Sequence, residues 1–351
     1  MKRFGKAVIV PSYACNQQCV YCYARPSVLG HHAIMSVAEM KSTIDFFAEL
    51  QIETMTILGG EPLMYPYLKE LVSYALQKGI TSWIVTNGSE FCKNDLGHRL
   101  IDMGLKGGCI SIFSMDEMKH DSITQKRGSF QLIYDSLVMI IQNKWPIYPM
   151  ITIGDQTFEN TYRDVSELIK LGFTTIYINY GVPNVFETTL PQYVSQPQIL
   201  ADYTYRLYQI QKEFNVRFVF NCEKNKVPIC LFDSDMFADL YANNQIGYGC
   251  EIMNGNTIVV EPGGDVLGCS HWVGIPFMNI YKDYSTLTLI SKDEFFQEWD
   301  YGFPANVRKM MDVYPFEKCS TCTLKREKKC YGGCKTLLSR SINFKTIRHG
   351  K

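Results

Sequence analysis

Apolar residues recur along this chain in two alternating rhythms. Short dense runs at Ala7–Val10, Thr54–Leu58, Ser82–Thr86, Cys109–Phe113, Ile147–Ile153 and Thr175–Asn179 have the length and composition of buried strands. Between them, stretches near 36–50, 66–79, 94–104, 129–143 and 161–171 space their apolar residues at helical intervals. Gly79, Gly104 and Gly172 fall where these helices should stop. Strand and helix alternating in this way predict an α/β fold with a parallel, barrel-like sheet wrapped by helices. Six strands rather than eight predict an open partial barrel of the TIM type, a (βα)6 arrangement. A further helix near 197–214, with Tyr203, Leu207 and Ile210 on one face, closes it.

The rhythm breaks after about residue 215. Beyond it stand Cys222, Cys230, Cys250, Cys269, Cys319, Cys322, Cys330 and Cys334, punctuated by Gly263 and Gly264 and by the basic run Lys325–Lys329. We therefore expect a barrel over 1–215, a connecting segment over 216–249, and a small cysteine-rich domain over 250–351. The tail with Lys345, Arg348, His349 and Lys351 reads as a solvated surface.

Composition narrows the class. The 351 residues suffice for one large domain and a smaller one, and 46% hydrophobic content is ordinary for a globular core. The formal net charge of +0 supplies no field to attract nucleic acid or an anionic membrane, so neither is expected as a partner. No apolar run reaches the length of a membrane span, and the stretch after Met1 is too short for a secretory signal. A cytoplasmic location follows as an expectation. There, thirteen cysteines read as metal ligands rather than disulfides.

Cys15, Cys19 and Cys22 stand in the pattern C-x-x-x-C-x-x-C just after the first strand. The C-terminal end of a barrel strand is where such folds place their chemistry. Three thiolates leave one iron of a cubane cluster open, as catalytic metal sites require. The same three could be half of a zinc site, but zinc motifs favour paired C-x-x-C knuckles. Tyr21 offers a flat ring to a ligand on the open iron. The second strand ends in Gly59, Gly60, Glu61 and Pro62. Glycines admit close backbone approach, and carbonyls or a carboxylate can accept from an ammonium.

These residues resemble the radical S-adenosylmethionine superfamily, whose hallmark is C-x-x-x-C-x-Φ-C with Φ aromatic. The resemblance implies a [4Fe-4S] cluster on Cys15, Cys19 and Cys22, with S-adenosyl-L-methionine chelating the open iron. It places the cofactor's amino group at Gly59, Gly60, Glu61 and Pro62. Asn87, in Val85–Gly88, and Ser111 would reach the ribose, and the backbone of Ile178–Tyr180 would flank the adenine. Ser111, His120, Asp121 and Gly128–Phe130 match a further family region, although Phe113 stands where an acidic residue is usual and Thr124 where an arginine is. His120 reads as a helix-cap partner of Asp121 rather than a catalytic base.

Cys250, Gly264–Cys269, Cys319, Cys322, Cys330 and Cys334 resemble the SPASM or twitch extension of such enzymes. Thr257–Val260 and Val266–Leu267 form its hairpin, with Pro262–Asp265 between. A structural zinc site is the alternative. The resemblance implies one or two auxiliary [4Fe-4S] clusters. A twitch-like cluster would use Cys250, Cys269, Cys319 and Cys322. A SPASM-like pair would use Cys250, Cys269 and Cys334 for one cluster and Cys319, Cys322 and Cys330 for the other. The family's last cysteine is absent and the gap from Cys322 to Cys330 is longer than usual. Both clusters of such a pair would lack a ligand: Cys222 or Cys230 could supply it, or an iron could stay open to substrate, and Cys92 and Cys109 are further cysteines that could serve as ligand or hydrogen donor.

The implied activity is reductive cleavage of S-adenosylmethionine to a 5′-deoxyadenosyl radical, which abstracts hydrogen from a substrate. The electron donor would be a flavodoxin or ferredoxin. An auxiliary cluster favours net oxidation, so an oxidative modification or crosslink in a ribosomally made peptide is expected first. Dehydrogenation or epimerisation of an amino sugar or other small molecule is the alternative. Sulfatase maturation is disfavoured, because Ser270 and His271 follow Cys269 where an acidic base is expected. The first strand begins so early that no separate leader-peptide domain is expected before it. Asp202–Tyr208 and Val182–Val194 could line a groove, although packing explains them as well. Outside this class, an iron–sulfur electron carrier would need no cofactor pocket, and a zinc-stabilised binding module no iron.

Overall fold

The computed structural model describes residues 4–24, 33–153, 156–182, 196–220 and 226–338. Six parallel strands follow the predicted runs: β1 (Lys6–Ile9), β2 (Thr54–Ile57), β3 (Thr81–Thr86), β4 (Leu105–Ile112), β5 (Ile147–Ile153) and β6 (Thr175–Tyr180). They lie side by side in chain order. The crossovers carry α1 (Val37–Glu49), α2 (Leu68–Gln77), α3 (Leu96–Asp102), α4 (Glu117–Thr124), α5 (Ser129–Asn143) and α6 (Phe158–Leu171). This is the open partial (βα)6 barrel. Helix α4 was not anticipated, since its residues EMKHDSIT carry few apolar side chains.

Alternation along each strand separates two faces. Met55 and Ile57, Ile84, Ile110 and Ile112, Ile151 and Ile153, and Ile176 and Ile178 are buried in the main core with the helices. Ser111, Met150, Thr152 and Asn179 alternate with them and are only half buried, so they face the other side of the sheet.

The sheet continues at both edges. After α7 (Gln198–Phe214), β7 (Arg217–Phe220) pairs parallel with β6. Helices α8 (Ser234–Ala242) and α9 (Glu251–Asn254) follow. Then β8 (Thr257–Val260) lies parallel to β1, with Ala7 opposite Ile258. Strand β9 (Asp265–Leu267) returns antiparallel as the expected hairpin, and β10 (Met278–Asn279) adds to it. Strands β11 (Tyr281–Asp283) and β12 (Thr288–Leu289) form a separate pair.

Helix α10 (Lys292–Tyr301) starts from a Ser291–Glu294 capping box and docks beneath the barrel. Its Phe295 packs 6.0 Å from Phe4 and 5.3 Å from Phe46, and Trp299 lies 5.9 Å from Phe4. Helices α11 (Phe303–Met310), α12 (Thr323–Arg326) and α13 (Lys335–Leu338) complete the order. The cysteine-rich region is thus knit to the barrel through the β1–β8 pairing and through α10. Among the described residues no helix is long and apolar enough to cross a membrane.

Candidate active site

The loop after β1 runs across the C-terminal ends of the parallel strands, and its course is set by backbone bonds to three neighbours. Val10 donates to the Val260 carbonyl at 2.8 Å. Gln18 and Val20 donate to the Thr124 and Ile123 carbonyls, at 3.0 and 2.9 Å, at the end of α4. Gly60 and Glu61 donate to the Ser12 and Ala14 carbonyls at 3.1 and 2.8 Å. Cys15, Cys19 and Cys22 are all half buried on this loop, with the Cys22 amide turned onto the Cys19 carbonyl at 3.1 Å. Tyr21 is exposed beside them.

Gly59 and Gly60 serve this contact directly. A Cβ on Gly59 would meet the Ser12 carbonyl oxygen at 2.2 Å, and Gly59 also has φ +146°, a conformation that disfavours any side chain. A Cβ on Gly60 would meet both the Ala14 and Tyr13 oxygens at 2.3 Å. The close approach that the glycines permit is therefore made by the cysteine loop itself.

Glu61 is fully buried and bound on both oxygens. Oε1 accepts from the Leu63 amide at 2.9 Å and the Thr86 hydroxyl at 2.5 Å, and Oε2 accepts from the Asn87 amide at 2.7 Å. Burial lifts its carboxyl to about 7 despite these bonds. It caps the short turn Pro62–Met64, where Pro62 takes the first position, and ties the end of β2 to the end of β3. The carboxylate is thus engaged with the protein on both oxygens.

A second knot joins the cysteine loop to the end of β3. The Asn16 side chain donates to Ser89 Oγ at 2.8 Å and to Glu90 Oε1 at 3.0 Å, and accepts from Asn87 Nδ2 at 2.9 Å. Asn87 Oδ1 accepts from the Ser89 amide at 3.0 Å in an Asx turn. Asn16, Thr86, Ser89 and Glu90 were not singled out in the sequence. The turn residues Asn87, Gly88 and Ser89 are the one local signal of them.

The remaining cofactor candidates lie on neighbouring strands. Ser111 is half buried on the open face of β4. Tyr180 is buried and its hydroxyl pairs with Thr204. The Tyr180 carbonyl accepts from Lys226 Nζ at 2.6 Å, and Asn179 Oδ1 accepts from the same ammonium at 2.9 Å. His120 is buried between Phe113 and Phe130, and burial lowers it to about 4, so its ring is neutral. Asp121 alone does the capping: it accepts from Ser129 Oγ and the Phe130 amide, each at 2.9 Å, and from the Gly128 amide.

Burial raises the Cys15 thiol to about 11 and pushes Cys19 higher still, with the charges of the neighbouring cysteines adding to both. Thiols crowded this way become thiolates only against a cation, which bound iron supplies. The donor set therefore fits a thiolate-held cluster. Among the described residues no three Cys, His, Asp or Glu side chains are grouped as around one metal ion. A cubane places each thiolate on a different iron, so its ligands need not converge on one point.

The later cysteines fall into two neighbourhoods. Cys250 immediately precedes α9, and burial pushes its thiol up to about 12, with Cys334 and then Cys269 adding to the rise. Cys330 is raised by burial, with smaller contributions from Cys230 and Cys322. The long gap after Cys322 is taken up by the one-turn α12, and Cys330 donates back to the Leu324 carbonyl at 3.1 Å. Cys222 lies outside the described residues. Cys109 is buried in β4, and Cys92 is exposed beside Ser136.

The cysteine loop also touches the first of these neighbourhoods. Tyr13 donates a 2.5 Å hydrogen bond to Glu261, which follows β8, and burial raises that carboxyl to about 7. The Tyr23 ring lies 5.3 Å from His271, whose Nδ1 is 3.8 Å from Cys269 Sγ.

The radical SAM superfamily model matches residues 9–185, from the end of β1 through the cysteine loop and β2 to β6. Fe-coproporphyrin III synthase of Methanosarcina barkeri is 32% identical over 116 residues, 33% of this chain and 29% of that protein. The chain thus spans less than a third of that relative's length. Among solved structures, Streptococcus suis SuiB bound to precursor peptide SuiA superposes over 100% of this chain and 74% of its own, with TM-score 0.67 and 17% identity. Native anSMEcpe with bound AdoMet superposes over 94% of this chain and 89% of its own, with TM-score 0.71 and 14% identity. These two likenesses are of fold. With the family model spanning half of its length, the chain belongs to the radical SAM superfamily.

Proposed function

We propose that this protein cleaves S-adenosylmethionine reductively at a [4Fe-4S] cluster held by Cys15, Cys19 and Cys22, and uses the product to oxidise a peptide. One observation carries the reading: the glycine-bearing end of β2 is pressed onto the backbone of the cysteine loop, so cluster ligands and cofactor-binding backbone form one unit. When bound, the cluster and cofactor together supply a one-electron cleavage that yields a hydrogen-abstracting radical.

The chain's own residues orient and enclose that pair. Gly59, Gly60 and Pro62 shape the ledge for the cofactor's amino acid end, and Glu61 holds the ledge to β3. Tyr21 covers the cysteine side. Asn87 and Ser111 stand toward the ribose, and the backbone at Tyr180 toward the adenine. Asn16 fixes the loop that carries the cysteines. Such fixing matters because a misplacement of about 1 Å can cost about a hundredfold in rate.

We assign residues 1–215 to the catalytic barrel, 216–249 to the connector and 250–351 to the auxiliary cluster region. The grouping of Cys250 with Cys269 and Cys334, apart from Cys322 and Cys330, supports a SPASM-like pair of clusters over a single twitch-like one. The peptide reading draws on the likeness in fold to SuiB, which was solved with a precursor peptide. A small-molecule substrate is the second reading, favoured by the matched Methanosarcina protein, whose name is that of a porphyrin enzyme.

The test is mass spectrometry of a candidate peptide encoded beside the gene. Incubated with reconstituted protein, reductant and S-adenosylmethionine, it should lose a pair of hydrogens. An unchanged peptide, with S-adenosylmethionine still consumed, would move the reading to a small molecule.

A further inference from the structure

We propose that Cys230 is the fourth protein ligand of the second auxiliary cluster, joining Cys319, Cys322 and Cys330 from upstream of all of them. This rests on the reading above that the C-terminal cysteines hold iron–sulfur clusters.

The geometry comes from the chain between β7 and α8. Residues 226–230 run alongside the loop Cys330–Cys334. The Cys334 amide donates to the Lys226 carbonyl at 3.2 Å. A Cβ on Gly333 would sit 3.1 Å from that same carbonyl oxygen and 3.2 Å from Pro228 Cδ, so the two segments are in backbone contact. Lys226 anchors the strand of contact at its other side by bonding Asn179 and Tyr180 at the end of β6. A single turn of 3-10 helix, Ile229–Leu231, then presents Cys230. The Ile229 amide faces the Cys330 sulfur, which also accepts from the Gly332 amide at 3.4 Å. The pairing of Lys226 with Cys334 and of Pro228 with Gly333 carries Cys230 alongside Cys330.

The other two ligands arrive by local folding. The turn Glu317–Ser320 and the helix α12 bring Cys319 and Cys322 to one end of the loop that closes on Cys330. Three thiols are thereby supplied by the segment after residue 317, and the fourth comes from a stretch of preceding chain laid against the Cys330–Cys334 loop. Amide N–H groups aimed at Cys330 suit a sulfur that carries negative charge in the bound state. Cys92 is exposed like Cys230 but stands on the loop after β3, beside Ser136, and serves as the matched control thiol.

Full-length protein is reconstituted anaerobically with iron and sulfide, desalted, and its iron counted beside its electron paramagnetic resonance spectrum. Wild type and a Cys92→Ala control should each hold about twelve irons, at four per cubane. Cys230→Ala should hold about eight, or about eleven with the signal of a three-iron cluster. Cys330→Ala should lose the same cluster and reports whether the site exists at all. The inference is overturned if Cys230→Ala matches the Cys92→Ala control in iron and spectrum while Cys330→Ala loses a cluster. It is equally overturned if wild type holds only about eight irons. In both cases 5′-deoxyadenosine formation by wild type would show that the wider reading stands. No iron in any of the proteins would sink both.

Discussion

Replacing Gly60 by alanine probes the joint between cofactor ledge and cysteine loop. The added Cβ would lie 2.3 Å from two carbonyl oxygens, those of Tyr13 and Ala14, and neither belongs to a side chain that can swing away. Reaching the 3.0 Å that real Cβ atoms keep requires the loop to retreat by roughly 0.7 Å. That retreat strains the Gly60–Ser12 and Glu61–Ala14 bonds, at 3.1 and 2.8 Å. Each is worth about 1 kcal/mol net, and the overpacking costs a further 1–3, so the loss should be about 3–5 kcal/mol. Urea unfolding of the cluster-free chain measures it. Gly5→Ala is the matched control, because no atom lies within 4 Å of its Cβ position. The variant should also retain less iron after reconstitution. If Gly60→Ala unfolds with the control and holds the same iron, the joint described here is not what positions the cysteines.

Further outcomes follow from the same geometry. Glu61→Gln must turn an NH2 group toward one of two fixed amides, Leu63 or Asn87, and should cost about 1–3 kcal/mol in urea unfolding; equal stability would contradict the described bonding. Asn16→Ala removes three polar contacts and should speed iron release to a chelator, whereas an unchanged rate would show the knot to be idle. Glu261 has its carboxyl raised to about 7 from an unfolded value of 4.5. Its contribution to stability is complete below pH 4.5 and is lost as pH rises through about 7, a decline of roughly 3 kcal/mol. Glu261→Gln keeps an acceptor for Tyr13, so relative to wild type it should gain stability between pH 5 and pH 8; a constant difference across that range would refute the assignment.

Much of the barrel was legible because burial on one face leaves a signature. The runs at Ala7–Val10 and Ile147–Ile153 could only be strands of a covered sheet, and they are β1 and β5. Helix α4 was not legible, since its stability comes from packing and from the Asp116 cap rather than from an apolar stripe. Strand β7 is four residues long, too short a run to stand out from the sequence that follows α7. In the site, the glycines announced a close approach but not its partner, which proved to be residues 12–14. For Glu61 the sequence does not show the partners its oxygens have in the fold, Leu63, Thr86 and Asn87. Contacts such as Tyr13 with Glu261, 248 residues apart, leave no local trace. Spacing likewise does not say which of the later cysteines lie near one another, as Cys250 and Cys334 do.

The most direct test is formation of 5′-deoxyadenosine. Anaerobically reconstituted protein, given S-adenosylmethionine and a low-potential reductant, should produce it, and a Cys19→Ala variant should not. Production that is absent from wild type, or equal in the variant, would contradict the proposal that Cys15, Cys19 and Cys22 hold the reactive cluster.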